Sequence, residues 1–202
     1  MRWIIIIGAL VALAWNSPFR IAPPAVKAST AIPVGVEDLV ANAELVFAGK
    51  VQSVRAVEHP GGRIDTEYVF SVERTFWGEE ESERVLRLPG GILDDGRGMI
   101  VPGITHFSFA EEVLLAVSAA DPDGMRMPVG LDQGSYRLRI EPNGDRTAWH
   151  TPSGSARIDP ATGTLRCGTS AWGIPYGELV AELTAAAAAR RAGLIGPMEA
   201  GR

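Results

Sequence analysis

Between Thr66 and Phe76 the chain alternates: Tyr68, Phe70, Val72 and Phe76 carry large apolar groups, while Glu67, Ser71, Glu73 and Thr75 are polar. A period of two fits only a strand with one buried and one wetter face, and no helix reproduces it. Val69 is the single apolar residue out of phase. Comparable short runs recur along the chain. Leu45–Val51 and its continuation to Ala56, Arg84–Leu88, Glu112–Val117, Met125–Val129, Tyr136–Ile140 and Thr147–His150 all read as strands between turn signals. The 23 glycines and 14 prolines fall mainly between these runs, which suits a turn-rich β domain rather than a disordered chain.

Two details sharpen this pattern. In the first long strand the apolar parity is odd at Leu45, Phe47 and Val51 but even at Val54 and Ala56, so a β-bulge is predicted at Gln52-Ser53. Glu112–Val117 is the most apolar of these strands and is expected at the centre of the sheet. His59-Pro60-Gly61-Gly62, Asp121-Pro122-Asp123-Gly124 and Pro142-Asn143-Gly144-Asp145 are turns, and Glu79–Glu83 is an acidic loop. Two helices flank the strands. Val36–Ala43 is short, with acids in its first turn. Gly177–Arg191 aligns Leu179, Val180, Leu183 and Ala187 and ends on Arg190-Arg191 before Gly193. Strands at this spacing with a bulged long member predict a mainly β fold: a small OB-like β-barrel of about five or six strands with an N-terminal and a C-terminal helix.

The N-terminus is read as an address. Met1-Arg2 precedes an uncharged apolar run of 13 residues, Trp3–Trp15. A spanning helix needs about 20 such residues, so the run fits an export signal better. Val26-Lys27-Ala28 suits cleavage before Ser29, with an uncleaved anchor as the other expectation. Residues 29–192 then form one domain and 193–202 a flexible tail. The chain is expected to be exported, to the periplasm or beyond. Loss of residues 1–28 removes Arg2, Arg20 and Lys27 and leaves 16 basic against 24 acidic side chains, a net charge of −8. That balance excludes nucleic acid as a partner, because phosphate neutralisation needs a basic face. Membrane contact is expected only through the N-terminal segment. Cys167 is the lone cysteine, so no disulfide staples this domain within an oxidising compartment.

Chemical motifs are sparse. His59, His106 and His150 lie 47 and 44 residues apart, without ligands at metal-binding spacing, and no cofactor is expected. Asp121-Pro122-Asp123-Gly124 places its glycine too early for a calcium loop and reads as a hairpin turn. Gly168-Thr169-Ser170-Ala171-Trp172 lacks the second glycine of a nucleophile elbow. Cys167 with His150 is the one pair able to act as thiolate and base. Gly130-Leu131-Asp132-Gln133-Gly134 reads as a sharp corner, with Gln133 turned inward onto backbone groups or outward onto a ligand. Residues 89–110 are the longest stretch without periodicity, and loops of that length in compact domains carry function or disorder. Asp94, Asp95, Arg97 and His106 within it, with Gln133, are the candidate binding surface.

Ala43–Val51, Tyr68–Gly78, Glu112–Ala116 and Gly130–Tyr136 together resemble exported bacterial domains of uncharacterised function. Their order is also similar to the netrin-like domain of tissue metalloproteinase inhibitors, an OB-type barrel, over about residues 36–140. The resemblance implies a five-stranded barrel with a helix packed at its end. Those inhibitors chelate the protease zinc through an N-terminal cysteine, and that mechanism does not carry over to a chain expected to start at Ser29. The favoured expectation is a non-enzymatic exported binding or accessory domain whose partner is another exported protein. The alternatives are an inhibitor or companion of a secreted protease, and a hydrolase using Cys167 and His150.

Overall fold

A computed structural model describes residues 30–31, 33–150, 156–158, 165–167 and 172–197. In chain order these form β1 (Thr30–Ala31), α1 (Val36–Asn42), β2 (Leu45–Glu58), β3 (Ile64–Trp77), β4 (Glu83–Pro89), β5 (Gly91–Ile92), β6 (Gly98–Met99) and β7 (Glu112–Val117). A 3-10 turn at Leu131–Gly134 follows, then β8 (Ser135–Ile140), β9 (Arg146–His150), β10 (Ala156–Ile158), β11 (Leu165–Cys167), β12 (Trp172–Pro175) and α2 (Tyr176–Arg191). The mainly β class holds. Seven strands make one antiparallel sheet in the order β12-β9-β8-β7-β2-β3-β4. This sheet is not closed, because β12 and β4 are its two edges and do not pair with each other. The apolar strand β7 occupies its centre.

Both faces of the sheet are covered, which is why β7 is apolar throughout. On one face α1 and α2 lay Leu39, Val40, Leu179 and Leu183 over Val46, Ala48, Leu114 and Ala116. On the other, Ile104 and Phe107 pack over Phe47, Tyr68, Phe70, Leu88, Val113 and Leu115. The helix α2 buries Leu179, Leu183, Ala186 and Ala187 at helical spacing, and its alanine run supplies intrinsic helicity. Arg190, one turn further on, donates to the Val40 and Ala43 carbonyls at 2.6 Å each, and its guanidinium lies over the Trp77 ring. It thereby satisfies carbonyls left open at the end of α1 and joins the two helices. Beyond α2, Gly193 takes a left-handed conformation, and Ile195 packs back onto the helix-side core. Residues 198–202 of the expected tail lie outside the described residues, as do residues 1–29 with the expected signal and its cleavage point. Among the described residues, no helix is long and apolar enough to cross a membrane.

Register explains where the alternation succeeds and where it misleads. Val51 pairs with Phe70 and Ser53 with Val69, so Gln52 is the extra residue of a bulge. The parity change seen in the sequence has this cause, and it keeps Val54 and Ala56 on the face of Phe47 and Val51. A second shift lies between Ala48/Arg74 and Gly49/Val72, where Glu73 is the extra residue. It turns Phe76 onto the helix face, away from Tyr68 and Phe70 with which strict alternation grouped it. The returning strand expected at Met125–Val129 is reduced to two isolated bridges, Arg87 with Met125 and Val117 with Pro128. Pro128 has no N–H to extend a ladder. Residues 89–110 are not structureless: β5 and β6 form a hairpin, and Ile104, Thr105 and Phe107 are buried.

Candidate functional site

After β4, Pro89 ends the strand and Gly90 and Gly91 take φ of +91° and +146°. These conformations let the chain leave the sheet edge and fold back over its face. Gly90 N–H donates to the Ile64 carbonyl, and Thr66 Oγ1 donates to the Gly90 carbonyl, which anchors the base of the β5–β6 hairpin on β3. The far end is tied as well. Arg97 holds both carboxylate oxygens of Glu58 at 2.8 and 2.7 Å, and its Nε bonds Asp95 at 2.9 Å. The Arg97 guanidinium keeps Glu58 below the usual carboxylate range, and the Arg97 backbone N–H does the same for Asp95.

Between this hairpin and the sheet lies an open cleft of about 670 Å³. Its sheet wall is β2 from Ser53 to Ala56 together with Thr66 and Tyr68, and its opposite wall includes Ile92, Met99 and Ile100. His106 and Phe107 also line it. Ile92 and Ile100 are 71% and 86% exposed, and Val54 is 41% exposed. Three branched apolar side chains so placed around one concavity are uncommon on a surface without a partner.

Tyr68 and His106 are the polar pair in this cleft. Phe107 N–H donates to Tyr68 Oη at 3.3 Å, and Oη lies 3.1 Å from His106 Nδ1. Oη donates to Nδ1 when the imidazole proton is on Nε2 and accepts from Nδ1–H in the other tautomer. Burial pushes the phenol up from 10.0, so it stays protonated and keeps this bond. Nε2 is buried without a hydrogen-bond partner and lies beside Gly90, where a Cβ would approach it to 3.1 Å.

Burial also lowers the His106 pKa from 6.5. The folded state therefore favours the neutral ring, whereas the unfolded chain takes up its proton near 6.5, and stability must fall as pH drops below that value. Asp94 and Arg55 share the cleft, and Arg137 bonds the His106 carbonyl, but neither Asp94 nor Arg55 is bonded to the ring. The denaturation midpoint is expected to decrease between about pH 7.5 and 5.5. His106→Gln, which retains an acceptor for Tyr68, is expected to flatten that decrease. An equal slope in both proteins would refute the assignment. Glu58, Glu73, Asp95 and Asp123 are all held low by arginine contacts and titrate below this window.

The sequence candidates thus separate. Asp94 and His106 line the cleft. Asp95 and Arg97 brace the hairpin above it. Gln133 lies elsewhere and is turned inward: its Oε1 accepts from Val34 N–H and its Nε2 donates to the Gly130 carbonyl, both at 3.0 Å. Val54, Tyr68, Ile92 and Ile100 were absent from the sequence candidates. Isolated isoleucines in a glycine-rich loop were the available signal, because nothing in such a loop obliges them to be apolar. His150 is 1% exposed, stacks on Trp172 and meets Tyr136 edge-on, with Nε2 4.0 Å from Asp132. The side chain of Cys167 lies outside the described residues. Among the described residues, no group of three His, Cys, Asp or Glu side chains converges to hold a metal ion. No protein-family model, curated protein or solved structure matches the chain, so a functional reading rests on the cleft itself.

Proposed function

We propose that the chain is a non-enzymatic binding or accessory domain that acts after export and takes its partner in the cleft beneath the β5–β6 hairpin. One observation carries this reading: a concavity with a tethered roof is bordered by the exposed side chains of Val54, Ile92 and Ile100 and has a Tyr68–His106 pair within it. Burying those three side chains against a partner recovers hydrophobic free energy that solvent exposure withholds in the free protein. The acidic balance supports another exported protein as partner over a nucleic acid. No cofactor enters this reading, and membrane contact is left to the N-terminal apolar run.

The paired variant Ile92→Asp and Ile100→Asp tests it. Both side chains project into solvent, so the fold is expected to persist with its thermal midpoint within about 2 °C, on the scale of neutral surface changes. Proteins recovered with the wild-type chain from the exported fraction are expected to be lost. Equal recovery with both chains would end the proposal.

A further inference from the structure

We propose that the free half of β2 is an acceptor edge, and that the cleft takes an extended peptide segment of another protein as an added strand. The inference rests on the cleft being the binding site and specifies what enters it.

Pairing between β2 and β7 ends at Lys50 with Glu112. Val51 completes it, donating its N–H to the Glu111 carbonyl and accepting from Ala110 N–H. From Gln52 to Glu58, β2 is paired on the β3 side alone among the described residues. The orientation of this stretch follows from its neighbours. Ile64 turns its carbonyl to Gly90 on the β4 side, so Thr66 and Tyr68, two and four residues on, face that side as well. Their partners across the β2–β3 ladder are Ala56 and Val54, and Ile64 itself faces Glu58. Val54, Ala56 and Glu58 therefore direct their N–H and C=O groups away from β3, to the open edge.

The side chains of Val54 and Ala56 stand on the same face as Tyr68 and Thr66, which is the face lining the cleft. Backbone donors and acceptors at a strand's spacing thus lie along one wall of an apolar concavity. Strand addition satisfies both features at once: its main chain pairs with Val54 and Ala56, and its alternate side chains enter the cleft beside Tyr68, Ile92 and Phe107.

The terminal edges of the sheet are protected in ways this one is not. Arg126 N–H caps the Arg87 carbonyl on β4, which ends in Pro89, and β12 ends in Pro175.

The full chain is used to select peptides of roughly nine residues from a displayed random library, a length spanning about 30 Å as a strand. Affinity is then read by fluorescence anisotropy. Val54→Pro removes an outward N–H and blocks the edge without breaking a bond to β3. It is expected to weaken the selected peptide roughly tenfold or more at an unchanged thermal midpoint. Independently of any change to the protein, N-methylation of the peptide at alternate positions is expected to abolish binding in one parity and spare it in the other. Selection of no peptide, unchanged affinity for Val54→Pro, or loss in both parities would overturn strand addition. So would a dimer of the chain that Val54→Pro dissolves, which would make a second copy the occupant. If affinity falls in the Ile92/Ile100 variant but not in Val54→Pro, the cleft remains the site and strand addition fails. If neither variant affects binding, both readings fail.

Discussion

Gly134→Ala is expected to cost on the order of 3–5 kcal/mol and to leave the domain largely unfolded in mild denaturant. The added methyl would lie 2.6 Å from the Val129 carbonyl oxygen, 2.7 Å from that of Ala116 and 2.9 Å from the Val129 nitrogen. All three are backbone atoms, so no side chain can rotate away. They also include both ends of a hydrogen bond, since Val129 N–H donates to the Ala116 carbonyl at 2.9 Å. Relief of the clash must therefore open a buried bond on the central strand or displace the corner that Gln133 braces. The total stability of a domain this size is about 5–15 kcal/mol, so such a loss is a large share of it. Gly177→Ala is the control: nothing lies within 4 Å of that position, which is in the first turn of α2, and alanine there should be neutral or stabilising by up to about 1 kcal/mol. Urea denaturation of the two variants decides the matter. A loss below about 1 kcal/mol for Gly134→Ala would show that the corner yields more readily than its geometry implies.

Phe70→Ala has the second large expected effect, a loss of about 3–5 kcal/mol. Phe70 is fully buried and meets Phe47 edge-on at a centroid distance of 5.5 Å and Tyr68 at 5.8 Å. Removing the ring takes away its transfer free energy and leaves a cavity between β3 and the segment that carries Ile104 and Phe107 over this face of the sheet. The backbone ladder on both sides prevents that cavity from collapsing. Phe70→Leu refills part of the volume and is expected to recover more than half the loss. A destabilisation equal to that of Phe70→Ala would point to the aromatic contacts rather than volume as the source. Because Tyr68 belongs to the cleft, Phe70→Ala should also weaken binding there, whereas Gly177→Ala should not.

Much of this architecture is legible in the residues themselves. Unbroken apolar composition from Val113 to Val117 announced the centre of the sheet, and β7 is there, with both of its faces buried. The parity change between Val51 and Val54 placed a bulge at Gln52-Ser53, and the register makes Gln52 the extra residue, because side-chain period in a strand is a local property. Two glycines around Asp132-Gln133 implied a tight corner, and Gly134 has no room for a methyl. Phe76 was assigned the wrong face for an equally physical reason. The bulge at Glu73 follows from the register between β2 and β3, and a period counted along one strand does not reveal its partner's spacing.

The candidate site was legible only in part. Asp94 and His106, named from the loop that carries them, line the cleft, but the same loop uses Asp95 and Arg97 as tethers rather than as cleft wall. Their roles separate only when Glu58, 39 residues from Arg97, arrives at the end of β2. Gln133 satisfies backbone groups at Val34 and Gly130, and Val34 is 99 residues away.

Local physical chemistry in the sequence thus determined most strands of the sheet, the bulge at Gln52-Ser53 and the two helices, because each depends on neighbours a few residues apart. Met125–Val129, by contrast, did not form a strand, and β12 was not foreseen. Tertiary structure alone decided that the sheet stays open, that Phe76 joins the helix face, and that β2 extends beyond β7. It also brought Tyr68, Ile92 and His106 around one cleft. Those outcomes depend on pairings across tens of residues, where core packing summed over the whole sheet outweighs any local preference.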